Sequence, residues 1–474
     1  MKALFINLPY KYKVSRTSRW PERTKSATLY YPYWLAYCVG LCADRGLEVD
    51  LVDCIAKEHS ISGMLEIIET RRPEYIVTEI TTPTCNEDYK TITEIKTRFP
   101  EIKIIIGGTH ATALPEEVLT ECSAIDIIVR HEYDYTVLEI LSDVPLRDVT
   151  GISYIEQGII HTPDREYTKN LDELPFVSKV YKRFLDFEDY FYAFAQKPMI
   201  QIFSARGCPF KCDFCSYPET MSGRQFRKRS VTDFVDEIEY ICENMPEIRE
   251  IFIEDDTFTA DKARVVEICD EIKRRGLKPV WSCNTRVDIS YDVLEKMKEA
   301  GCRLLVVGYE SGCQAVLDEI RKGIKLEQSL TFAKNAKKLK LKVFGCFMIG
   351  LRGDNLERIE ETFKFAKSVY PDMVFFQQAV PFPGTAFYKW TKDNGYLVTE
   401  DYSKWLNKDG YLTCLVSYPY ATPTEIEKLR DKLMSRYYFS FTYIGKTFLA
   451  NLSIQELRRV VKAAIAYAAF RIRK

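Results

Sequence analysis

The chain has 474 residues, with 67 Lys and Arg against 68 Asp and Glu, and 15 cysteines. Its length predicts two or three domains, and its balanced charge excludes a global electrostatic footprint for nucleic acid. The odd number of cysteines, dispersed through apolar segments, indicates reduced thiols of a cytoplasmic protein and not a disulfide framework.

The first 150 residues alternate short β-branched runs with amphipathic segments, which is typical of βα units around a parallel sheet. Helical patterns at Ser60–Arg71 and Asn86–Arg98 separate some of these runs. Five strands in this rhythm predict a doubly wound, Rossmann-like α/β domain, whose ligand crevice lies beyond the carboxyl ends of the strands. The predicted strands are Ala3–Leu8, Glu48–Asp53, Tyr75–Ile80, Lys103–Ile106 and Asp126–Val129.

Two loops follow the third and fourth of these strands and therefore fall at the predicted crevice. One reads T-T-P-T and the other G-G-T-H-A-T. Paired glycines at a strand end allow a ligand to approach the backbone closely, but they are equally common in plain tight turns. The candidate ligand contacts in the two loops are Thr81, Thr82, Gly107, Gly108, Thr109 and His110.

A connector is predicted over residues 151–195, beginning with a hairpin at Gly151–Thr162. From Met199 the βα rhythm restarts, and six units predict a partial (β/α)6 barrel over residues 196–420, with its active face at the strand carboxyl ends. A helical region is predicted over residues 421–474. The predicted barrel strands lie near Ile200–Ser204, Glu250–Ile253, Pro279–Cys283, Arg303–Val307, Lys342–Met348 and Met373–Gln377.

Three cysteines, Cys208, Cys212 and Cys215, follow the first predicted barrel strand. The spacing C-x3-C-x2-C offers three thiolates to one metal centre, and thiolates are the usual ligands of iron–sulfur clusters. Three ligands would leave one iron of a cubane cluster open to a cofactor. A zinc site is the alternative, but structural zinc takes four ligands, no second C-x2-C occurs, and all four histidines lie upstream.

Polar residues recur where the other barrel strands are predicted to end. Consecutive carboxylates at Glu254–Asp256 are costly unless they meet cations or a ligand, although a solvated turn would also accept them. Arg286 ends the third strand, and a guanidinium binds a carboxylate bidentately. Glu310 and Ser311 end the fourth strand, and the apolar run Phe347–Leu351 ends the fifth.

The cysteine spacing, with an aromatic residue directly before the last cysteine, resembles the radical S-adenosylmethionine (SAM) superfamily. In that family a [4Fe-4S] cluster binds SAM through its open iron and cleaves it reductively. The resemblance also implies an electron donor such as flavodoxin or ferredoxin. It implies that Asp255 or Asp256 binds the SAM amino group and that Arg286 binds the SAM carboxylate. It also implies that Glu310 and Ser311 contact the methionine and ribose, and that Met348 and Phe214 form an apolar edge against the adenine.

The N-terminal part resembles the B12-binding domain of cobalamin-dependent radical SAM enzymes at Leu4–Pro9, Pro32–Tyr37 and Gly107–Glu116. The resemblance implies cobalamin at the two crevice loops. The D-x-H-x-x-G motif, whose histidine ligates cobalt in other B12 proteins, is absent, although radical SAM relatives commonly bind cobalamin without it. The acidic G-E-x-E that usually closes the domain reads Arg130–Asp134, a further departure. A domain that has lost its cofactor therefore stays an alternative.

A capping box with Pro at the first helical position predicts a helix from Thr422. From Lys446 to Lys474 there are seven Lys and Arg and one acid, and a basic amphipathic helix near aromatic residues can lie in a membrane interface. A helix packed on the barrel is the alternative. This tail and the aromatic segment Trp20–Trp34 partially resemble the subgroup that acts on polycyclic isoprenoid lipids, such as the hopanoid ring-contracting enzymes.

The predicted function is a cobalamin-dependent radical SAM enzyme that methylates, cyclises or ring-contracts an unactivated carbon of a small-molecule or lipid-like substrate. The alternatives are a radical SAM enzyme with a vestigial B12 domain and a non-catalytic iron–sulfur sensor. Tyr309 and Cys346 lie near strand ends, but we interpret both as packing residues, and no catalytic residue is predicted. The apolar run after Met1 is too short for a signal peptide. We expect a cytoplasmic protein whose tail packs on the barrel, with peripheral contact at the inner face of the membrane through the tail as the alternative.

Overall fold

A seven-stranded sheet forms the N-terminal half of the protein in the computed structural model, which describes residues 1–440, 442, 443 and 445. Five strands run parallel in the order β2-β1-β3-β4-β5, and the hairpin β6-β7 continues the sheet antiparallel to β5. The strands are β1 (Ala3–Asn7), β2 (Val49–Asp53), β3 (Tyr75–Glu79), β4 (Lys103–Gly107), β5 (Ile127–Val129), β6 (Ile152–Ile155) and β7 (Ile159–His161). The helices of this half are α1 (Tyr33–Asp44), α2 (Ile61–Arg71), α3 (Cys85–Arg98), α4 (Thr109–Ala113), α5 (Pro115–Glu121) and α6 (Asp134–Leu141).

The predicted doubly wound sheet is confirmed, because β-branched residues fill strands that are covered on both faces. Consecutive isoleucines in β4, for example, are buried although they point to opposite sides. The predicted hairpin over Gly151–Thr162 also exists. It belongs to this sheet and not to a separate connector, since Ser153 pairs with Ile128. The domain boundaries at residues 150, 195 and 420 stay predictions.

A second sheet of six parallel strands forms the predicted partial barrel, in the order β8-β11-β12-β13-β14-β15. A separate pair, β9 with β10, is antiparallel. The strands are β8 (Met199–Ile202), β9 (Ala205–Arg206), β10 (Arg227–Lys228), β11 (Glu250–Ile253), β12 (Trp281–Thr285), β13 (Cys302–Glu310), β14 (Lys342–Ile349) and β15 (Met373–Gln378). The helices are α7 (Val177–Phe184), α8 (Tyr217–Thr220), α9 (Val231–Asn244), α10 (Lys262–Arg274), α11 (Tyr291–Glu299), α12 (Gln314–Glu319), α13 (Leu326–Lys338), α14 (Leu356–Val369), α15 (Ala386–Asp393) and α16 (Pro423–Tyr438).

Residues 10–32, which we call the strap, cross the open side between the two edge strands of the barrel, β8 and β15. At β8 the strap residue Tyr31 donates its backbone N–H to Gln201 Oε1 (2.9 Å) and its hydroxyl to Met199 O (2.8 Å). At β15, Gln377 Nε2 donates to Glu22 Oε1 (3.3 Å). An N-terminal segment thus contacts both edges of the C-terminal barrel.

Helix α16 packs against β15 and begins as predicted, because Thr422 and Glu425 form a capping box. The basic tail Lys446–Lys474, with its predicted amphipathic helix, lies outside the described residues. Within the described part of the chain, no helix has both the length and the apolar character that crossing a bilayer requires.

We expect Tyr31→Ala to destabilise the protein by about 3–5 kcal/mol, the usual cost of removing a buried large ring. The ring is fully buried between Tyr181 and Tyr190, at centroid distances of 4.3 and 3.9 Å. Urea denaturation followed by fluorescence measures the effect. Tyr31→Phe is the control and loses only a hydrogen bond, worth about 1 kcal/mol. Equal midpoints for the two variants would show that the strap is not anchored through this ring.

Candidate active site

The three predicted cluster cysteines lie on one loop between β9 and α8. Cys208 and Cys215 are half-buried and Cys212 is buried. Burial raises the pKa of Cys215 to about 12; the Arg19 guanidinium opposes this shift, and Cys208 and Cys212 add to it. The three thiols therefore act on one another electrostatically. Binding to a metal would deprotonate them despite burial.

Gly207 fixes how the chain enters this loop. Its φ is +90°, and a Cβ added there would overlap the carbonyl oxygen of Gln225. Cys208 N donates to Gly223 O at 3.1 Å, which holds the loop against the segment that returns to β10. The first cysteine is therefore positioned by backbone contacts that only glycine permits.

The donor set of this loop fits an iron–sulfur cluster. Among residues 1–440, no three His, Cys, Asp or Glu side chains are arranged around one metal ion. A cubane cluster does not need three side chains to converge on one ion, because each thiolate binds its own iron. The three thiols lie on one loop and are half-buried or buried. Each can therefore bind a different iron of one cluster.

The two aspartates predicted for the SAM amino group have different surroundings. Asp255 is fully buried and accepts from Ser204 N (2.7 Å), Ser204 Oγ (2.5 Å) and Ala205 N (3.1 Å). Its carboxylate is thus engaged by the chain that leaves β8. Asp256 accepts from Arg19 Nη2 and from Ser222 Oγ, both at 2.7 Å. Asp255 is thus held by the chain that leads toward the cysteine loop, and Asp256 by the strap and Ser222. Which of the two meets the SAM amino group stays a prediction.

Arg286 lies against the cysteine loop, with its guanidinium 3.6 Å from the centre of the Phe210 ring. Its Nη2 donates to Lys322 O (2.8 Å) and Gly323 O (3.2 Å). Lys322 in turn donates to Glu310 Oε1 at 2.7 Å, and both side chains are buried. Arg286 therefore contacts the cysteine loop through Phe210, and Lys322 links Arg286 to Glu310. The role of Arg286 on the SAM carboxylate stays a prediction.

Of the remaining SAM candidates, Ser311 follows β13, Met348 lies near the end of β14, and Phe214 lies on the cysteine loop. Ser311 Oγ contacts Thr362 Oγ1 (3.0 Å) and accepts from Cys313 N (3.1 Å), so it stabilises the turn after β13. Met348 is buried and Phe214 is half-buried. Their contacts with ribose and adenine stay predictions.

The two strand-end residues interpreted as packing differ in their surroundings. Tyr309 stacks on Phe347 at 5.2 Å and is buried, as expected of a packing residue. Cys346 is half-buried, and burial raises its pKa.

The paired glycines of the N-terminal sheet serve internal packing. A Cβ on Gly107 would lie 2.9 Å from the Tyr133 ring, and one on Gly108, whose φ is +102°, would lie 2.5 Å from Ile80 O. They let the end of β4 approach β3 and the start of α6. A direct backbone contact with a ligand is therefore not needed to explain them.

His110, the second residue of α4, is fully buried, and burial lowers its pKa to about 3. Its Nδ1 lies 3.2 Å from Thr82 Oγ1, and its ring meets Tyr402 edge-on at 5.0 Å. Thr81 instead contacts Thr84 through its hydroxyl at 3.2 Å. Thr109 begins the short helix that carries His110. The neutral imidazole is held by packing and by Thr82.

Buried polar atoms without a partner in the described part of the chain occur at the carboxyl edge of this sheet. They include Ser18 Oγ, Trp34 Nε1 and His110 Nε2. Unpaired buried donors and acceptors are costly, and a ligand rich in amide groups, such as the corrin of cobalamin, would satisfy them. The residues present at this edge therefore fit that cofactor.

Arginines of the barrel half and carboxylates of the N-terminal half form a buried ion network between the two sheets. Arg206 donates to Glu132 and, at 2.5 Å, to Asp134, and Arg227 donates to Glu132 at 2.5 Å. The Arg206 guanidinium also lies 4.6 Å from the Trp34 ring centre. We call Arg206, Arg227, Glu132 and Asp134 the clamp.

The clamp uses both acids of the segment Arg130–Asp134, which departs from the acidic G-E-x-E. Glu132 holds the second position of that pattern, and Asp134 supplies a carboxylate at the fourth. Asp134 is one methylene shorter than glutamate, and it reaches Arg206.

Sequence reasoning missed three residues that the structure places beside the candidates. Arg19 donates to Glu254 (3.1 Å) as well as to Asp256, and Lys322 pairs with Glu310. Arg19 carries no local signal, because its partners lie more than 200 positions away. The three consecutive carboxylates Glu254–Asp256 were visible in the sequence. Which of them face the cysteine loop depends on how the chain leaves β11.

Two family models match the chain. The model of the radical SAM superfamily covers residues 202–366, and that of the B12 binding domain covers residues 23–141. A protein of Pyrococcus horikoshii named uncharacterized methyltransferase PH0819 is 31% identical over 413 residues, which cover 86% of this chain and 87% of that protein. The anaerobic magnesium-protoporphyrin IX monomethyl ester cyclase of Rubrivivax gelatinosus is 28% identical over 95% of this chain and 78% of its own length.

The same architecture occurs in a solved structure. The radical SAM enzyme OxsB, determined with aqua-cobalamin and SAM bound, superposes with a TM-score of 0.70 at 15% identity, over 98% of this chain and 71% of that chain. At this identity the likeness concerns the fold alone.

The chain belongs to the radical SAM superfamily, in the branch that carries an N-terminal B12-binding domain. It is a cobalamin-dependent radical SAM enzyme, and its cofactors are a [4Fe-4S] cluster, SAM and cobalamin.

We expect anaerobically reconstituted protein to bind about four irons with sulfide on the cysteine loop. Replacing Cys208, Cys212 and Cys215 together by Ala removes the thiolates, so this iron and its visible absorbance are expected to be lost. Iron and sulfide analysis measures the change. Cys242→Ser, at an exposed cysteine of α9, is the control and retains the iron. A triple variant that keeps its cluster would show that other residues hold the metal.

We expect Arg206→Met to destabilise the contact between the two halves by about 3–5 kcal/mol, because it leaves the buried Asp134 carboxylate without its cation. Thermal unfolding and limited proteolysis between the halves measure the loss. The double variant Arg206→Met with Asp134→Asn keeps the pair of Glu132 with Arg227 and recovers much of it. A double variant no more stable than Arg206→Met would contradict the assignment of the cost to unpaired charge.

Proposed function

We propose that the protein cleaves SAM reductively and transfers a methyl group to an unactivated carbon of a small-molecule or lipid-like substrate bound between its two cofactor sites. One observation supports this most. The clamp joins the segment that leads into the cysteine loop to the end of the N-terminal sheet. This contact supports a cluster site and a corrin site that share one interdomain space. A related protein named as a methyltransferase, aligned over most of the chain, also supports methyl transfer.

When bound, the cluster and cobalamin supply the reductive cleavage and the methyl carriage that no side chain can perform. The residues around the cysteine loop would bind and orient SAM. Asp256 would accept a hydrogen bond from the amino group, and Arg286 would donate charge-assisted hydrogen bonds to the carboxylate. Glu310 and Ser311 would bind the methionine and ribose, and Met348 with Phe214 would contact the adenine. Ser18, Thr82 and His110 would hold cobalamin beside the carboxyl ends of the N-terminal sheet.

The strap and the aromatic residues beside it exclude water from the shared space. Tyr33 and Tyr217 both donate their hydroxyls to Thr17 O, and the two hydroxyl oxygens lie 3.0 Å apart. All three residues are buried. A dry, aromatic wall protects reactive species from solvent. These side chains shape the space and carry no step of the reaction.

Cyclisation is the second candidate reaction, because the cyclase relative covers almost the whole chain. It would use the same cofactor residues and differ in what the substrate does after hydrogen abstraction. Ring contraction and a lipid-like substrate depend on the partial sequence resemblance alone. Flavodoxin or ferredoxin as the electron donor, a cytoplasmic location and membrane contact through Lys446–Lys474 also stay proposals.

Product analysis with CD3-labelled SAM separates the candidates. Methyl transfer leaves S-adenosylhomocysteine from the donor molecule, and radical cleavage leaves 5′-deoxyadenosine, so we expect both products. Incubation with a metabolite extract is expected to give a product three mass units heavier than with unlabelled SAM. Cyclisation would give 5′-deoxyadenosine with an unlabelled product. Absence of 5′-deoxyadenosine after reduction of the cluster-loaded protein would overturn the proposed function.

A further inference from the structure

Arg19 of the strap contacts the end of barrel strand β11. Its Nη1 donates to Glu254 Oε1 at 3.1 Å and its Nη2 to Asp256 Oδ1 at 2.7 Å. One guanidinium thus bridges two carboxylates from a position 235 residues earlier in the chain than Glu254. The fork geometry of arginine suits such a double contact.

The two carboxylates depend on this cation. The Glu254 side chain is 5% exposed and that of Asp256 is 9% exposed. Their other donors are neutral: Gln201 Nε2 at 3.2 Å and Asn284 Nδ2 at 3.4 Å for Glu254, and Ser222 Oγ at 2.7 Å for Asp256. Buried carboxylates without a counter-charge are costly. Arg19 therefore orients both acids, and it opposes the effect of burial, which raises the pKa of Glu254 to about 7.

Arg19 also lies beside the cysteine loop. Its guanidinium is 5.1 Å from the ring centre of Tyr217, two residues after Cys215. Against the effect of burial, Asp256, Glu254 and Cys215 raise the pKa of Arg19 well above its ordinary value. The guanidinium is thus close enough to Cys215 for their charges to interact. A small cavity borders Arg19, Glu254 and Asp256.

A cluster held by three thiolates carries negative charge and gains more on reduction. A nearby cation stabilises the reduced state, since charge around a cluster sets its potential. A neutral residue at position 19 would remove this stabilisation and would also free Asp256 from the bridge that orients it.

We propose that Arg19 is a positioning residue supplied to the SAM site by the strap: it orients Glu254 and Asp256 for the SAM amino group and stabilises the reduced cluster beside Cys215. The proposal rests on the SAM-cleaving function proposed above. It differs from a purely structural role, which belongs to the clamp, because Arg19 contacts residues at the cofactor site itself. The SAM site is then complete only when the strap is in place.

The test uses full-length, cluster-loaded protein and three variants: Arg19→Gln, Arg19→Lys and Arg23→Gln. Arg23 is the matched control, because it lies on the same strap but contacts the Tyr12 and Tyr411 rings. The cluster's midpoint potential is measured by EPR-monitored redox titration. SAM affinity is measured by equilibrium dialysis of the oxidised protein, which requires no turnover.

For Arg19→Gln we expect a more negative potential and about tenfold weaker SAM binding, a loss of ~1.4 kcal/mol. Arg19→Lys restores the potential because it keeps the charge. It recovers only part of the affinity, because an ammonium cannot reproduce the planar fork. Arg23→Gln behaves as the unmodified protein. A potential and an affinity for Arg19→Gln that match those of Arg23→Gln would overturn the role of Arg19.

If Arg19→Gln does not fold, the double variant Arg19→Gln with Glu254→Gln removes one of the two carboxylates that lose their cation, and it is compared with Glu254→Gln alone. A more negative potential and weaker SAM binding in the double variant support the proposal, and equal values overturn it. Failure of the unmodified protein to hold a cluster or cleave SAM would overturn the proposed function instead. The two failures are therefore distinguishable.

Discussion

The buried clamp between the two sheets is the interaction on which the arrangement of the site depends. Arg206 immediately precedes the cysteine loop, and its guanidinium is held by Glu132 and Asp134 at the end of the N-terminal sheet. A buried ion pair gains little net stability, but breaking one partner is strongly destabilising. The two halves are therefore held in an orientation that satisfies these charges, and the start of the cysteine loop lies beside the end of the N-terminal sheet.

The strap, residues 10–32, also connects the N-terminal half to the barrel. Polar strap residues three positions apart reach successive partners: Arg16 pairs with Asp88, Arg19 with Glu254 and Asp256, Glu22 accepts from Gln377, and Lys25 contacts Asp431. These partners run from the N-terminal half, across the mouth of the barrel, to helix α16. A segment without a regular helix or strand thus closes a barrel that has only six strands.

Much of the fold and part of the site could be predicted from the sequence. The βα rhythm identified both sheets, and the cysteine spacing predicted the candidate metal-binding loop, because both are local patterns. The orientation of single side chains was less accessible. Asp255 and Asp256 are neighbours, yet one contacts Ser204 and the other Arg19. The glycines at Gly107 and Gly108 resembled a ligand-binding turn, and their close neighbours are in fact Tyr133 and Ile80.

By itself, the sequence determined the order of the elements, the three thiolates and the positions where strands end in polar residues, since each depends on residues that are close along the chain. Only the tertiary structure decided that the strap closes the barrel, that Glu132 and Asp134 pair with Arg206 and Arg227, and that Arg19 reaches the candidate SAM site. These contacts join residues dozens to hundreds of positions apart. Their partners are selected by burial and charge neutralisation in the folded chain, and no local pattern encodes that selection.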